Sequence, residues 1–95
     1  SNVYFFEDII PYIVLKGKEE LRLKVIEYIT LVSNKEVVHT VREFIDNDLN
    51  SSKSAKQLYM HRNTLNYRLD NFIEATNINV RTFKGENAIY MLFKY

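Results

Sequence analysis

The sequence predicts an all-α fold, five to six short helices packed as a compact bundle, and three observations predict it. Pro11 is the only proline and Gly17 and Gly85 are the only glycines, so there are few places at which a helix must break. No stretch alternates apolar and polar residues over a strand's length. Val37, Val38, Val41, Phe44, Ile45 and Leu49 recur at the spacing of one helix face. The chain has 95 residues, 46% hydrophobic and 26% charged, an ordinary balance for one small globular core.

The first helix is expected over Phe5 to Leu15, apolar on nearly all sides, with Pro11 near its first turn, where a missing N–H costs little. So oily a segment needs something to pack on, either this core or an upstream domain. Gly17 ends it. The second helix, Glu19 to Val32, places Leu21, Val25, Ile29 and Val32 on one stripe, widened by Leu23, Ile26 and Tyr28. Ser33-Asn34-Lys35-Glu36 fits a capping box with Ser33 at N-cap, and the clear periodicity of Val37 to Leu49 follows as the third helix. Asn50-Ser51-Ser52 stops it and offers serine caps to a short fourth helix, Lys53 to about Tyr59. A fifth helix is expected from Arg62 to Thr76. A last one runs from Glu86 to Tyr95, with Ala88, Ile89, Leu92 and Phe93 on one side. The aromatics Phe5, Phe6, Tyr28, Phe44, Phe72 and Phe93 are most simply core.

Chemistry is bounded by what is missing. With no cysteine, disulfides and thiolate catalysis are excluded. His39 and His61 are the only histidines, too few for a metal centre of that kind, and no cofactor or metal is expected. No carboxylates, histidines or nucleophiles converge at motif spacing and no glycine loop cradles phosphate, so an enzyme is not expected. Nothing approaches the ~18–20 apolar residues needed to span a bilayer. A cytoplasmic setting, away from membrane, is expected.

The net charge of +1 says little, but its distribution says more. From Leu49 to Leu69 the charged residues are Lys53, Lys56, Arg62 and Arg68, with no carboxylate among them. Glu43, Asp46 and Asp48 lie before this window, and Asp70 and Glu74 after it. A cationic segment between acidic ones is a local electrostatic footprint. The same window has the spacing of a helix-turn-helix. Ala55 supplies the small residue at which two helices cross closely; Leu58, Met60 and Leu65 follow at three, five and ten residues, and Leu69 continues the buried row. At ~100° per residue, Leu65, Leu69, Phe72, Ile73 and Thr76 share one face of the fifth helix. Asn63, Asn66, Tyr67, Asp70 and Glu74 lie opposite. Because only the first turns of such a helix reach base edges, Arg62, Asn63, Asn66 and Tyr67 are assigned to base readout. Ser51, Ser52, Lys53, Lys56, Thr64 and Arg68 are assigned to phosphate, and His61 to the turn or cap. Arg68 has an alternative, an ion pair with an acid on the third helix, and Thr64 an architectural one.

The segments Thr40-Val41-Arg42-Glu43-Phe44-Ile45 and Ala55 through His61-Arg62-Asn63-Thr64-Leu65-Asn66-Tyr67-Arg68-Leu69 resemble the C-terminal helix-turn-helix of PucR/CdaR-type bacterial transcription regulators. The resemblance spans about Val37 to Tyr95. It implies a Fis-like helix-turn-helix over 34–95, placed after an upstream sensory region, with 1–33 as the tail of, or link from, a preceding domain. Ser1-Asn2 reads as an expression scar. The family's glycine after the recognition helix is replaced by Ala75-Thr76-Asn77, and its acidic-arginine segment by Thr82-Phe83-Lys84-Gly85-Glu86. The implied partners are double-stranded DNA and a second copy of the chain, since one such module buries limited surface. The competing class is a helical interaction or dimerisation module without DNA readout, favoured by the near-neutral charge and the oily first helix.

Overall fold

Three of the inter-helix connections close with the same backbone device. A residue in the left-handed region (Gly17 at φ +66°, Asp48 at +54°, Tyr59 at +55°) follows the helix end. Its N–H and the next one turn back onto the last carbonyls: Gly17 to Val14 and Lys18 to Ile13, Asp48 to Ile45 and Leu49 to Phe44, Tyr59 to Lys56 and Met60 to Ala55, all within 2.9–3.2 Å. These are Schellman closures, which satisfy the orphan carbonyls and reverse the chain within a few residues. The helices they separate, in a computed structural model that describes residues 5–94, are α1 (Phe6–Leu15), α2 (Glu19–Val32), α3 (Lys35–Asp46), α4 (Ser51–Gln57), α5 (Arg62–Thr76) and α6 (Phe83–Lys94). There is no strand among the described residues, and the fold is all-α. Ser1-Asn2, at the start of the expected 1–33 segment, and Tyr95, the end of the expected last helix, lie outside the described residues.

Several boundaries differ from expectation, each for a local reason. Pro11 lies inside α1, in its second turn and not near its first, since Phe5 is the N-cap and Phe6 the first helical residue. The N-cap of α3 is Asn34, whose Oδ1 accepts from the Val37 N–H at 2.9 Å; Ser33 instead ends α2 and donates its hydroxyl to the Ile29 carbonyl. Likewise Asn50, not a serine, caps α4 through the Lys53 N–H at 2.9 Å, so α4 begins two residues earlier than expected and ends at Gln57. Asparagine competes well for both caps. Helix α6 begins at Phe83: Thr82 caps it, accepting from the Gly85 N–H at 3.3 Å.

Helix α3 buries Val37, Val38, Val41, Phe44 and Ile45 as its periodicity requires, with Leu49 half-buried. Each such side chain contributes on the order of 1.5–3 kcal/mol when removed from water. Helix α3 lies chiefly against α5, and α1 against α6. The oily first helix thus packs on this core, through Ile10 and Ile13, while Phe5, Tyr12 and Leu15 face outward. In α2 only Val25 and Ile29 are buried, with Ile26 packed beside them. Leu21, Leu23, Tyr28 and Val32 are exposed, so the expected stripe is half as wide as drawn. Arg22, one turn before Val25 and Ile26, reaches from α2 across to the Leu92 carbonyl at 2.7 Å and pairs with Glu19 at 2.6 Å. The Arg22–Glu19 hydrogen bonds hold the Glu19 carboxyl below its ordinary range. Phe44 and Phe72 are core and Phe6 and Phe93 pack on it, whereas Phe5 and Tyr28 are exposed at its edge. Ile78 and Val80, in the connection before α6, are fully buried core residues that the helical periodicity did not single out.

Candidate nucleic-acid interface

Helix α4, the turn Leu58 to His61, and α5 form the unit that the spacing predicts. Ala55 is 4% exposed, which lets the two helix backbones approach, and Leu65 and Leu69 are fully buried beneath them. Leu58 and Met60 are half-buried and pack on the same core. The turn is a Schellman closure with Tyr59 in the left-handed position, a conformation costly for a side chain this bulky, yet the side chain itself is 97% exposed. His61 then takes extended angles as N-cap of α5, its Nδ1 accepting from the Asn63 N–H at 3.0 Å. Helix α4 is fixed from its other side by the buried amide of Asn47, which donates to the Glu43 carbonyl and to Gln57 Oε1, both at 2.9 Å.

The outward face carries the predicted polar set. Arg62, Asn63, Thr64 and Tyr67 are exposed and Asn66 is half-buried. Ser52, Lys53 and Lys56 are exposed on α4, and Ser51 is half-buried. Arg62 donates to Ser52 Oγ at 3.4 Å, so the N-terminal ends of the two helices meet side by side. Arg68 turns inward and donates to Thr40 Oγ1 at 3.2 Å; its partner on α3 is this hydroxyl, not an acid. Among the described residues, Lys53, Lys56, Arg62 and Arg68 make no ion pair, as is also true of Lys16, Lys18, Lys35 and Arg42 elsewhere, whereas Arg22, Lys24, Arg81, Lys84 and Lys94 do.

One residue of this face was missed. Arg81, from the connection before α6, reaches over α5 and pairs with Asp70 at 2.7 Å; its other branch lies 3.4 Å from both the backbone oxygen and Oδ1 of Asn66. The one signal for it in the sequence was the exposed Asp70, an acid beside the reading positions with no partner on its own helix. No cluster of three or more metal-ligating side chains occurs among the described residues, and no helix there is long and apolar enough to cross a membrane.

Two helices locked at a tight turn, the second burying one face and presenting the other, define a helix-turn-helix domain. The chain belongs to the PucR C-terminal helix-turn-helix domain family, whose model matches residues 37–94. This is a family of transcription-regulator domains, not of enzymes. Among curated relatives, the chain is 38% identical over 90 residues to the uncharacterized protein YxkF of Bacillus subtilis, covering 92% of this chain and 30% of that protein. It is 32% identical over 59 residues to the proline-responsive transcriptional activator PutR of the same organism, covering 62% of this chain and 14% of that one. With the carbohydrate diacid regulator of Escherichia coli it shares 25% identity over 97 residues, 96% of this chain and 25% of the relative. The chain thus spans less than a third of the length of each. No solved structure matches it.

Proposed function

We propose that this chain is a sequence-specific, double-stranded DNA-binding domain of a bacterial transcription regulator, and that α5 reads the major groove. The observation that carries the reading is the exposed face of α4 and α5, where Arg62, Asn63, Asn66 and Tyr67 stand with Lys53 and Lys56 in a stretch, Leu49 to Leu69, that contains no carboxylate and whose cations make no ion pair among the described residues. Cations left free of internal partners are available to displace counterions from phosphate. Asn63 and Asn66 suit adenine, through N6 and N7, and Arg62 suits guanine, through O6 and N7. Ser51, Ser52, Lys53 and Lys56 suit the backbone alongside, as does Thr64. The inward bond of Arg68 favours its architectural role over phosphate contact. The names of PutR, a proline-responsive transcriptional activator, and of the carbohydrate diacid regulator support a regulatory role; a cytoplasmic setting, an upstream sensory region and a paired arrangement on two half-sites complete the proposal.

Tyr12 and Leu15 on α1 and Leu31 on α2 are exposed apolar side chains outside the helix-turn-helix, and they favour a further protein contact through α1 and α2, compatible with the paired arrangement. Titration of labelled upstream-promoter duplexes over a salt series tests the proposal. Binding should weaken steeply with salt, and Lys53→Ala and Lys56→Ala should each lower the log–log slope by about one. A domain that serves only as an interaction module would show no salt-dependent association with any duplex.

A further inference from the structure

We infer that Arg81 is a positioning residue for base readout: it presets the orientation of the Asn66 amide and cancels the Asp70 charge beside it. This rests on the major-groove reading above. Asn66 and Asp70 stand one turn apart on α5, and the Arg81 guanidinium spans them, one nitrogen on Asp70 Oδ1 at 2.7 Å and the other 3.4 Å from Asn66 Oδ1.

The arginine is held in that place by its own connection. Ile78 and Val80 are fully buried on either side of Asn79, whose Oδ1 accepts from the Arg81 N–H at 3.0 Å and whose carbonyl accepts from the Thr82 N–H at 3.1 Å. Gly85 closes the first turn of α6 directly over the Asn79 backbone, where no side chain would fit.

A guanidinium only donates, so it selects the oxygen end of the Asn66 amide and turns the NH2 end away from itself. The amide oxygen keeps a second lone pair. It therefore retains both halves of the pairing that adenine requires, with its rotation already fixed. Without Arg81, the Asp70 carboxylate four residues on is an acceptor that competes for the Asn66 NH2 group and draws the amide the other way. An exposed ion pair such as Arg81–Asp70, at 37% and 67% side-chain exposure, adds little to folding stability, so its consequence falls on the reading face.

The test is selection of duplexes from a randomised pool by the full chain, followed by titration of the selected sequence and its single-base variants. Asn66→Ala and Arg81→Ala should each lose about tenfold discrimination at the same base pair, with the double variant no worse than either and the thermal midpoint of Arg81→Ala unchanged. Arg81→Lys keeps a charge for Asp70 but has no second branch for Asn66, so it should restore affinity and not discrimination. If Asn66→Ala loses the preference while Arg81→Ala keeps it, or if Arg81→Ala weakens every sequence equally with a lower midpoint, the inference is overturned and the major-groove reading stands. If the unaltered chain selects no sequence at all, both fall.

Discussion

Of the two glycines, Gly85 is the one at which an added methyl, as in Gly85→Ala, meets the fold. A Cβ at that position would overlap the Asn79 carbonyl and stand 3.1 Å from the Asn79 nitrogen, and all of these atoms are backbone. No side chain can swing aside, so either α6 or the connection must move. Overpacking of this kind costs about 1–3 kcal/mol, and a rigid obstacle places it near the upper end, about 3 kcal/mol. Replacing glycine by alanine inside a helix returns up to about 1 kcal/mol of propensity. The net loss is therefore about 2 kcal/mol, which in a chain of this size lowers the melting midpoint by about 8–16 °C. Circular dichroism melts of the two proteins at equal concentration measure it. Gly17→Ala is the control: nothing lies within 4 Å of its Cβ and only the left-handed φ of +66° opposes it. A Gly85→Ala protein that melts at or above the original midpoint would refute the close approach of α6 to Asn79.

Three further outcomes follow from the same geometry. Tyr59→Gly should raise the melting midpoint by several degrees, since it removes about 1 kcal/mol of left-handed strain and gives up almost no burial at 97% exposure; a lower midpoint would contradict it. His61→Ala deletes the side-chain cap on the Asn63 N–H and should cost about 1 kcal/mol in urea unfolding, whereas an unchanged midpoint would mean that the cap contributes nothing. Arg22 lowers the Glu19 carboxyl in the folded state, so that contribution to stability is complete above the ordinary carboxylate value of 4.5 and disappears as pH falls through the lowered one. Unfolding measured across pH 2–7 should accordingly show a shallower acid limb for Glu19→Gln, and identical limbs would count against the pair.

Elements with a strong local signal were legible in the sequence, and elements held by tertiary contact were not. Helix α5 begins and ends where its periodicity and the Asn77 cap place it, with Asn77 in the left-handed conformation at φ +60°. The buried row of α3 and the small Ala55 at the crossing are equally local features. Caps were misassigned by one or two residues, because serine and asparagine stand side by side at 33–34 and at 50–52 and sequence pattern does not rank them. The true start of α6 was hidden by Gly85, which reads as a helix breaker but serves as a contact point. Leu21 and Val32 looked like core because their spacing on α2 is right. Arg22, which ties that helix to α6 through the Leu92 carbonyl, is polar and escapes an apolar count. Arg81 was missed for a related reason: its role exists only once Ile78 and Val80 fold the connection over α5.

The central claim is that the N-terminal turns of α5 read bases, and anisotropy titration of a selected duplex against a scrambled one tests it most directly. Arg62→Ala and Asn63→Ala should each weaken binding to the selected duplex by roughly 5- to 100-fold, while affinity for the scrambled duplex changes far less, above all for Asn63→Ala. Unchanged binding in both variants, or an equal loss on both duplexes, would contradict the assignment of readout to this face.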